Sequence, residues 1–230
     1  MRNFIKFLID TNRAKLAFWL AVSVFACFAL IKLRVIISGQ QYFLFLVWNL
    51  FLAFIPYAIS TFTAYFSHRS KNWWLLAGSV SLWLLFFPNA PYILTDLFHL
   101  RHREGAPLWF DLLLILSFAW TGLILGYVSL ADIQEVVSRT YNKVIGWLFA
   151  VGALMLSGFG IYLGRFERWN SWDIVSNPKG LVKDILLPIL NPMGNMRVWG
   201  ISAAFAIFLI MGYFTIKQMG KLAAGIENKE

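Results

Sequence analysis

The sequence predicts an all-α protein: a polytopic transmembrane helical bundle of about six spans, the third broken at Pro88 to Pro91. Three observations carry this reading. The 230 residues are 60% hydrophobic and only 13% charged, about half the charged share of an ordinary soluble domain. Several apolar runs approach or exceed the roughly 18 residues that mark a membrane span. The 20 Lys and Arg residues fall in short gaps between those runs and at both ends. That is where interfacial anchors and loop charges belong. A nucleic-acid surface would need them gathered on one soluble face. The expected partners are therefore membrane lipids, with no nucleic acid.

The first span covers about 16–37, with Lys32 and Arg34 near its far end, where long cationic side chains snorkel to the headgroups. The basic start (Arg2, Lys6, Arg13, Lys15) has the outline of a signal peptide. No small-x-small cleavage site follows, so an uncleaved span is expected. Cys27, the one cysteine, reads as a buried structural thiol rather than a lipid-attachment site. Gly39-Gln40-Gln41 makes a tight turn. The second span covers about 42–66, with a kink expected at Pro56. His68 falls in a polar loop as a solvated residue.

Residues 73–87 are apolar but reach only about 22 Å as a helix, short of a roughly 30 Å hydrocarbon core. After Pro88-Asn89-Ala90-Pro91 a second apolar piece runs to Leu100, giving a broken third span over 73–100. A break frees backbone groups, which either a wet cavity or neighbouring helices must satisfy. The fourth span covers about 108–130. Its Gly122 and Gly126 form a G-x-x-x-G that permits close helix approach. A charged loop is expected from Asp132 to Lys143, then a fifth span over about 144–163 rich in small residues. A polar, Trp-dense stretch follows from Gly164 to Asp173. Residues 181–190 are too short to span and fit an interfacial amphipathic segment. A sixth span covers about 198–216. The whole of 1–230 reads as one transmembrane domain.

Six spans place both termini on one side. Termini inside give eleven Lys and Arg inside and nine outside, and the N-terminal cluster favours a cytoplasmic N-terminus. The end of span three, the start of span four and the end of span five then share the extracytoplasmic face. Asn89, Tyr92, Asp96, His99, Asp111, Arg165, Glu167, Arg168, Asn170 and Asp173 are the residues expected to gather there. In an α-helix, positions 92, 96 and 99 would share one face.

The stretch 88–100 (PNAPYILTDLFHL), the stretch 157–165 (SGFGIYLGR) continued by 168–173 (RWNSWD), and Trp109-Phe110-Asp111-Leu112 with the nearby Ser117 to Gly122 carry a resemblance. On these residues the chain resembles a family of uncharacterised bacterial integral membrane proteins, the domain of unknown function 1361. The resemblance implies a multi-span protein of a bacterial inner (plasma) membrane and implies no activity.

The chemistry is read from the residues alone. Asp96 and His99 at i, i+3 are the candidate catalytic acid–base pair, or a metal-ligand pair. Asn89, Tyr92, Asp111, Arg165, Arg168, Asn170 and Asp173 are candidate ligand-binding residues. Guanidiniums suit the phosphate or carboxylate of a lipid headgroup. No nucleotide loop, zinc-protease or serine-hydrolase motif accompanies them, and no cofactor is indicated. The expectation is an extracytoplasmic polar pocket for an anionic or lipid headgroup. The alternatives are a membrane-embedded metal-dependent or acid–base hydrolase or transferase, and a transporter or non-catalytic scaffold. The span middles lack ionisable residues, which argues against an ion-coupled carrier. The bland reading makes the polar set a clasp between helices, with Asp111 at the positive end of the fourth helix.

Overall fold

In a computed structural model the chain is described over residues 6–9, 11, 13–67 and 72–227. The expected loop residue His68 lies outside these. Among the described residues the secondary structure is helical, with no strand. Six helices are long and apolar enough to cross a membrane, and the chain forms two compact units, 1–146 and 147–230.

The first unit contains α1 (Arg13–Ser38), α2 (Phe45–Ser67), α3 (Trp73–Phe86), a single turn α4 (Asn89–Tyr92), a 3-10 segment (Ile93–His99) and α5 (Leu108–Thr140). The core is made where α5 meets its neighbours: Leu114, Ile115 and Phe118 pack with Leu46 and Leu50 of α2, Ile31 of α1 and Ile93 of the 3-10 segment. A little over half of the apolar window of α5 is buried (56%), against 22% for α1, so α5 is the central mast.

Polar contacts fix how α1 lies on α5. Arg13 donates from Nη1 and Nη2 to the two carboxylate oxygens of Asp132 at 2.6 and 2.7 Å. Midway, the Ser23 and Thr121 hydroxyls are 2.6 Å apart. Near the other end, Arg34 meets Asp111. The two ion pairs lie 21 residues apart on both helices, which sets them about 32 Å apart along each axis. That is close to the roughly 30 Å of a bilayer's hydrocarbon core.

Two expectations are corrected here. Arg34 does not snorkel: it is 1% exposed, because a carboxylate waits for it inside. Lys32, without such a partner, is exposed. The stretch after Asp132 is not a loop: α5 continues to Thr140, leaving only Tyr141 and Asn142 before the next helix. Its charges are met sideways, Asp132 by Arg13 and by the Ser60 hydroxyl, and Glu135 by Arg139 one turn on at 2.7 Å. No glycine or proline interrupts this piece, so propensity and i, i+4 pairing carry the helix through.

The third span is broken where expected, at Pro88 and Pro91, and the break is satisfied from within. Asn89 Nδ2 donates to the Phe86 carbonyl at 2.9 Å, and the N–H groups of Ala90 and Tyr92 reach the carbonyls of Phe87 and Pro88. The glycines of α5 receive it. A Cβ added at Gly122 would stand 2.6 Å from Cγ2 of Ile93, and one at Gly126 2.9 Å from Cβ of Ala90. The helix that approaches the G-x-x-x-G is therefore the broken span itself.

The second unit holds most of α6 (Lys143–Arg165), then α7 (Asp173–Ser176), α8 (Pro178–Leu190), a 3-10 turn (Met193–Asn195) and α9 (Met196–Glu227). Gly158 lets α9 come close: a Cβ there would strike the Ser202 carbonyl oxygen and lie 2.9 Å from the Ala206 nitrogen. Trp147 stacks on Phe214 and Phe159 on Trp199, so α6 and α9 run antiparallel. The expected segment 181–190 is the body of α8, started by Pro178 and capped by Asn177, whose Oδ1 accepts from Gly180 N.

Gly122→Val is expected to overpack the Ile93 contact and destabilise the protein by about 1–3 kcal/mol. Gly78→Ala meets nothing within 4 Å and should leave stability level or slightly raised. Thermal melts in mild detergent check both.

Candidate functional site

The site begins with the pitch of the chain after Tyr92. Residues Ile93–His99 are wound as a 3-10 helix, tightened at its start by the Thr95 hydroxyl donating to the Tyr92 carbonyl at 2.7 Å. Three residues per turn put Asp96 and His99 in line. Tyr92, four residues before Asp96, leaves that line, which corrects the α-helical face expected for 92, 96 and 99. Both aligned side chains address α2. Asn49 Nδ2 donates to Asp96 Oδ2 at 2.8 Å, and the His99 ring lies 4.9 Å from that of Phe45. Phe45 and Asn49 are one α-turn apart on α2, so one turn of each helix matches the other. Asp96 is fully buried, whereas Tyr92, Asn89 and His99 are half-buried.

Asp111 lies in the first turn of α5 and is completely buried. Arg34 Nε donates to its Oδ1 at 2.5 Å and Nη2 to its Oδ2 at 3.2 Å. Asp111 thus joins α1 to α5. The same guanidinium sits 5.8 Å from the centroid of the buried Phe43 ring. Arg103, from the loop before α5, lies over Tyr42 at 4.5 Å and over Phe43 at 5.2 Å. Sequence reasoning missed Asn49, Arg34, Arg103, Tyr42 and Phe43. Asn49, a lone amide in an apolar run, was the legible signal among them.

The remaining candidates lie in the second unit, where Asn170 and Asp173 partner each other. The Asn170 backbone N–H donates to Asp173 Oδ2 at 2.7 Å and the Ser176 hydroxyl to Oδ1 at 2.8 Å. Those donors, the backbone N–H foremost, hold the Asp173 carboxyl below the usual carboxylate range. Arg168 turns the chain with φ of 63° and its side chain is exposed, while Arg165 at the end of α6 is half-buried. Trp169 Nε1 donates to Asp184 of α8 at 2.9 Å, and the Tyr162 hydroxyl to Glu167 at 2.7 Å.

Among the described residues no three His, Cys, Asp or Glu side chains stand close enough together to hold a metal ion, so Asp96 and His99 have no third such ligand beside them. A cavity of about 700 Å3 opens at the other end of the first unit, between Phe62 and Phe66 of α2, Leu76 of α3 and Val136 of α5. It is well away from Asp96 and Asp111. Arg139 at its edge is already paired with Glu135.

Replacing one member of the buried pair, as in Arg34→Met or Asp111→Leu, is expected to cost about 3–5 kcal/mol, because it strands the other charge. The double variant Arg34→Met/Asp111→Leu should recover most of that loss. Denaturation in detergent of the three variants measures it.

No curated protein and no solved structure matches the chain. A family model does: that of the Protein of unknown function (DUF1361) matches residues 48–212, most of the chain, and the protein belongs to that family.

Proposed function

We propose that this is a multi-pass protein of a bacterial inner membrane that binds an anionic group, a lipid headgroup, at the end of the first unit where α1 finishes and α5 begins. The observation that carries the reading is the division of charge at that end. Its buried carboxylates are engaged internally, Asp96 by Asn49 and Asp111 by Arg34. The loop that follows exposes Arg101 and His102 and carries the half-buried Arg103, against Glu104 alone. Buried acids that are already engaged, and bases in excess on the loop, leave a surface that attracts anions.

Binding is favoured over acid–base or metal catalysis. A general acid must reach substrate, and Asp96 is buried against α2. The end in question is extracytoplasmic in this reading, with both termini cytoplasmic. The support is the basic N-terminal cluster and the even number of apolar helices.

The test is native mass spectrometry of the protein in mild detergent with phosphatidylglycerol and phosphatidylcholine at equal mole fractions. Preferential retention of the anionic lipid is expected. Equal retention of the two would overturn the reading.

A further inference from the structure

The anion-binding reading names an end of the molecule. The arrangement around Phe43 narrows it to a set of donors. Arg34 uses Nε and Nη2 on Asp111, and its Nη1 is buried with no hydrogen-bond partner among the described residues. Arg103 has its Nε buried and, among the described residues, unpartnered as well. Both guanidiniums lie close to one aromatic ring, 5.8 and 5.2 Å from its centroid, and the ring is itself 1% exposed. Asp111 supplies one negative charge against these two positive ones. Such a cluster lacks one anion, and its buried, unpartnered donors belong to two different guanidiniums.

The loop that brings Arg103 here is held in place by its backbone. Gly105 has φ of +86°, a conformation L side chains rarely adopt, and a Cβ on it would fall 2.6 Å from Cβ of Ser38. The loop is thereby seated on the last turn of α1, where the Ser38 hydroxyl donates to the Arg34 carbonyl at 2.8 Å. Arg103 then lies across Tyr42 and Phe43, and the stacking fixes the plane of its fork.

We infer that Arg34 Nη1 and Arg103 Nε are the two donors of a phosphate-binding site beside Phe43, with Asp111 positioning Arg34 and Tyr42 and Phe43 positioning Arg103. A phosphate group suits it because separate oxygens of one tetrahedron accept from two separate guanidiniums, while a planar carboxylate matches a single fork, as Asp111 already does. The phosphate is that of a phospholipid headgroup or free inorganic phosphate. The inference rests on the anion-binding reading.

The experiment compares wild type with Arg103→Gln, Arg103→Lys and the exposed control Arg101→Gln, each with phosphatidylglycerol in mild detergent by native mass spectrometry and with inorganic phosphate by thermal shift. Arg103→Gln is expected to lose about tenfold or more in lipid affinity, the scale of one charge-assisted hydrogen bond. Arg103→Lys should fall between, and Arg101→Gln, which removes one exposed charge from the same surface, should lose only about twofold. A phosphate-induced shift that vanishes in Arg103→Gln, with no lipid preference at that position, assigns the site to free phosphate. Equal loss in Arg101→Gln and Arg103→Gln, or wild-type affinity for both ligands in Arg103→Lys, overturns the site while the anionic surface stands. A wild type that prefers neither anionic lipid nor phosphate overturns the broader reading as well. Should Arg103→Gln fail to fold, the Arg103→Lys comparison decides.

Discussion

The first unit depends on the antiparallel clasp of α1 against α5. Two arginines of one helix meet two aspartates of the other with the same 21-residue separation on both. Over that length two helices slip out of register easily if only apolar side chains hold them, since lipid tails offer the same contacts. A charge left unpaired at either end makes every slipped register costly. The clasp places the base of α2 and the start of α5 beside each other. It also removes Asp111 from the list of free acids, which matters more for function than any single distance.

The broken third span is the second device, and it works through shape. The prolines stop the α-helix, the glycines of α5 admit the stump, and the chain continues as a tighter spiral. The tighter pitch brings Asp96 and His99 onto one line facing Asn49 and Phe45 of α2. What looked like a surface triad with Tyr92 is a buried acid and a half-buried imidazole braced on a neighbouring helix. The chemistry that remains at this end is cationic and lies on the loop that follows.

Spans, break and close-packing glycines were legible because each is written in consecutive residues: apolar runs for the spans, paired prolines for the break, a four-residue repeat for Gly122 and Gly126. The charged end of α5 was misread because Asp132 looked like a loop residue until its partner 119 positions earlier was known. Arg34 was misread for the same reason, its carboxylate being 77 positions away. One hint was present. The interval from Arg13 to Arg34 equals that from Asp111 to Asp132, and two apolar segments with equally spaced opposite charges are complementary when antiparallel. The 3-10 pitch had no comparable signal, because a threonine hydroxyl turning back on a carbonyl is a local choice that composition does not announce.

The buried pair also bears on how the chain enters the membrane. Arg34 is made 77 residues before Asp111, so α1 reaches the bilayer carrying a charge whose partner does not yet exist. An arginine at the centre of a helix costs about 2.5–3.5 kcal/mol on insertion scales, and one near the end costs less because it can still reach the headgroups. Until Asp111 exists the headgroup level is the less costly place for Arg34, and the carboxylate of α5 is what makes its buried position favourable.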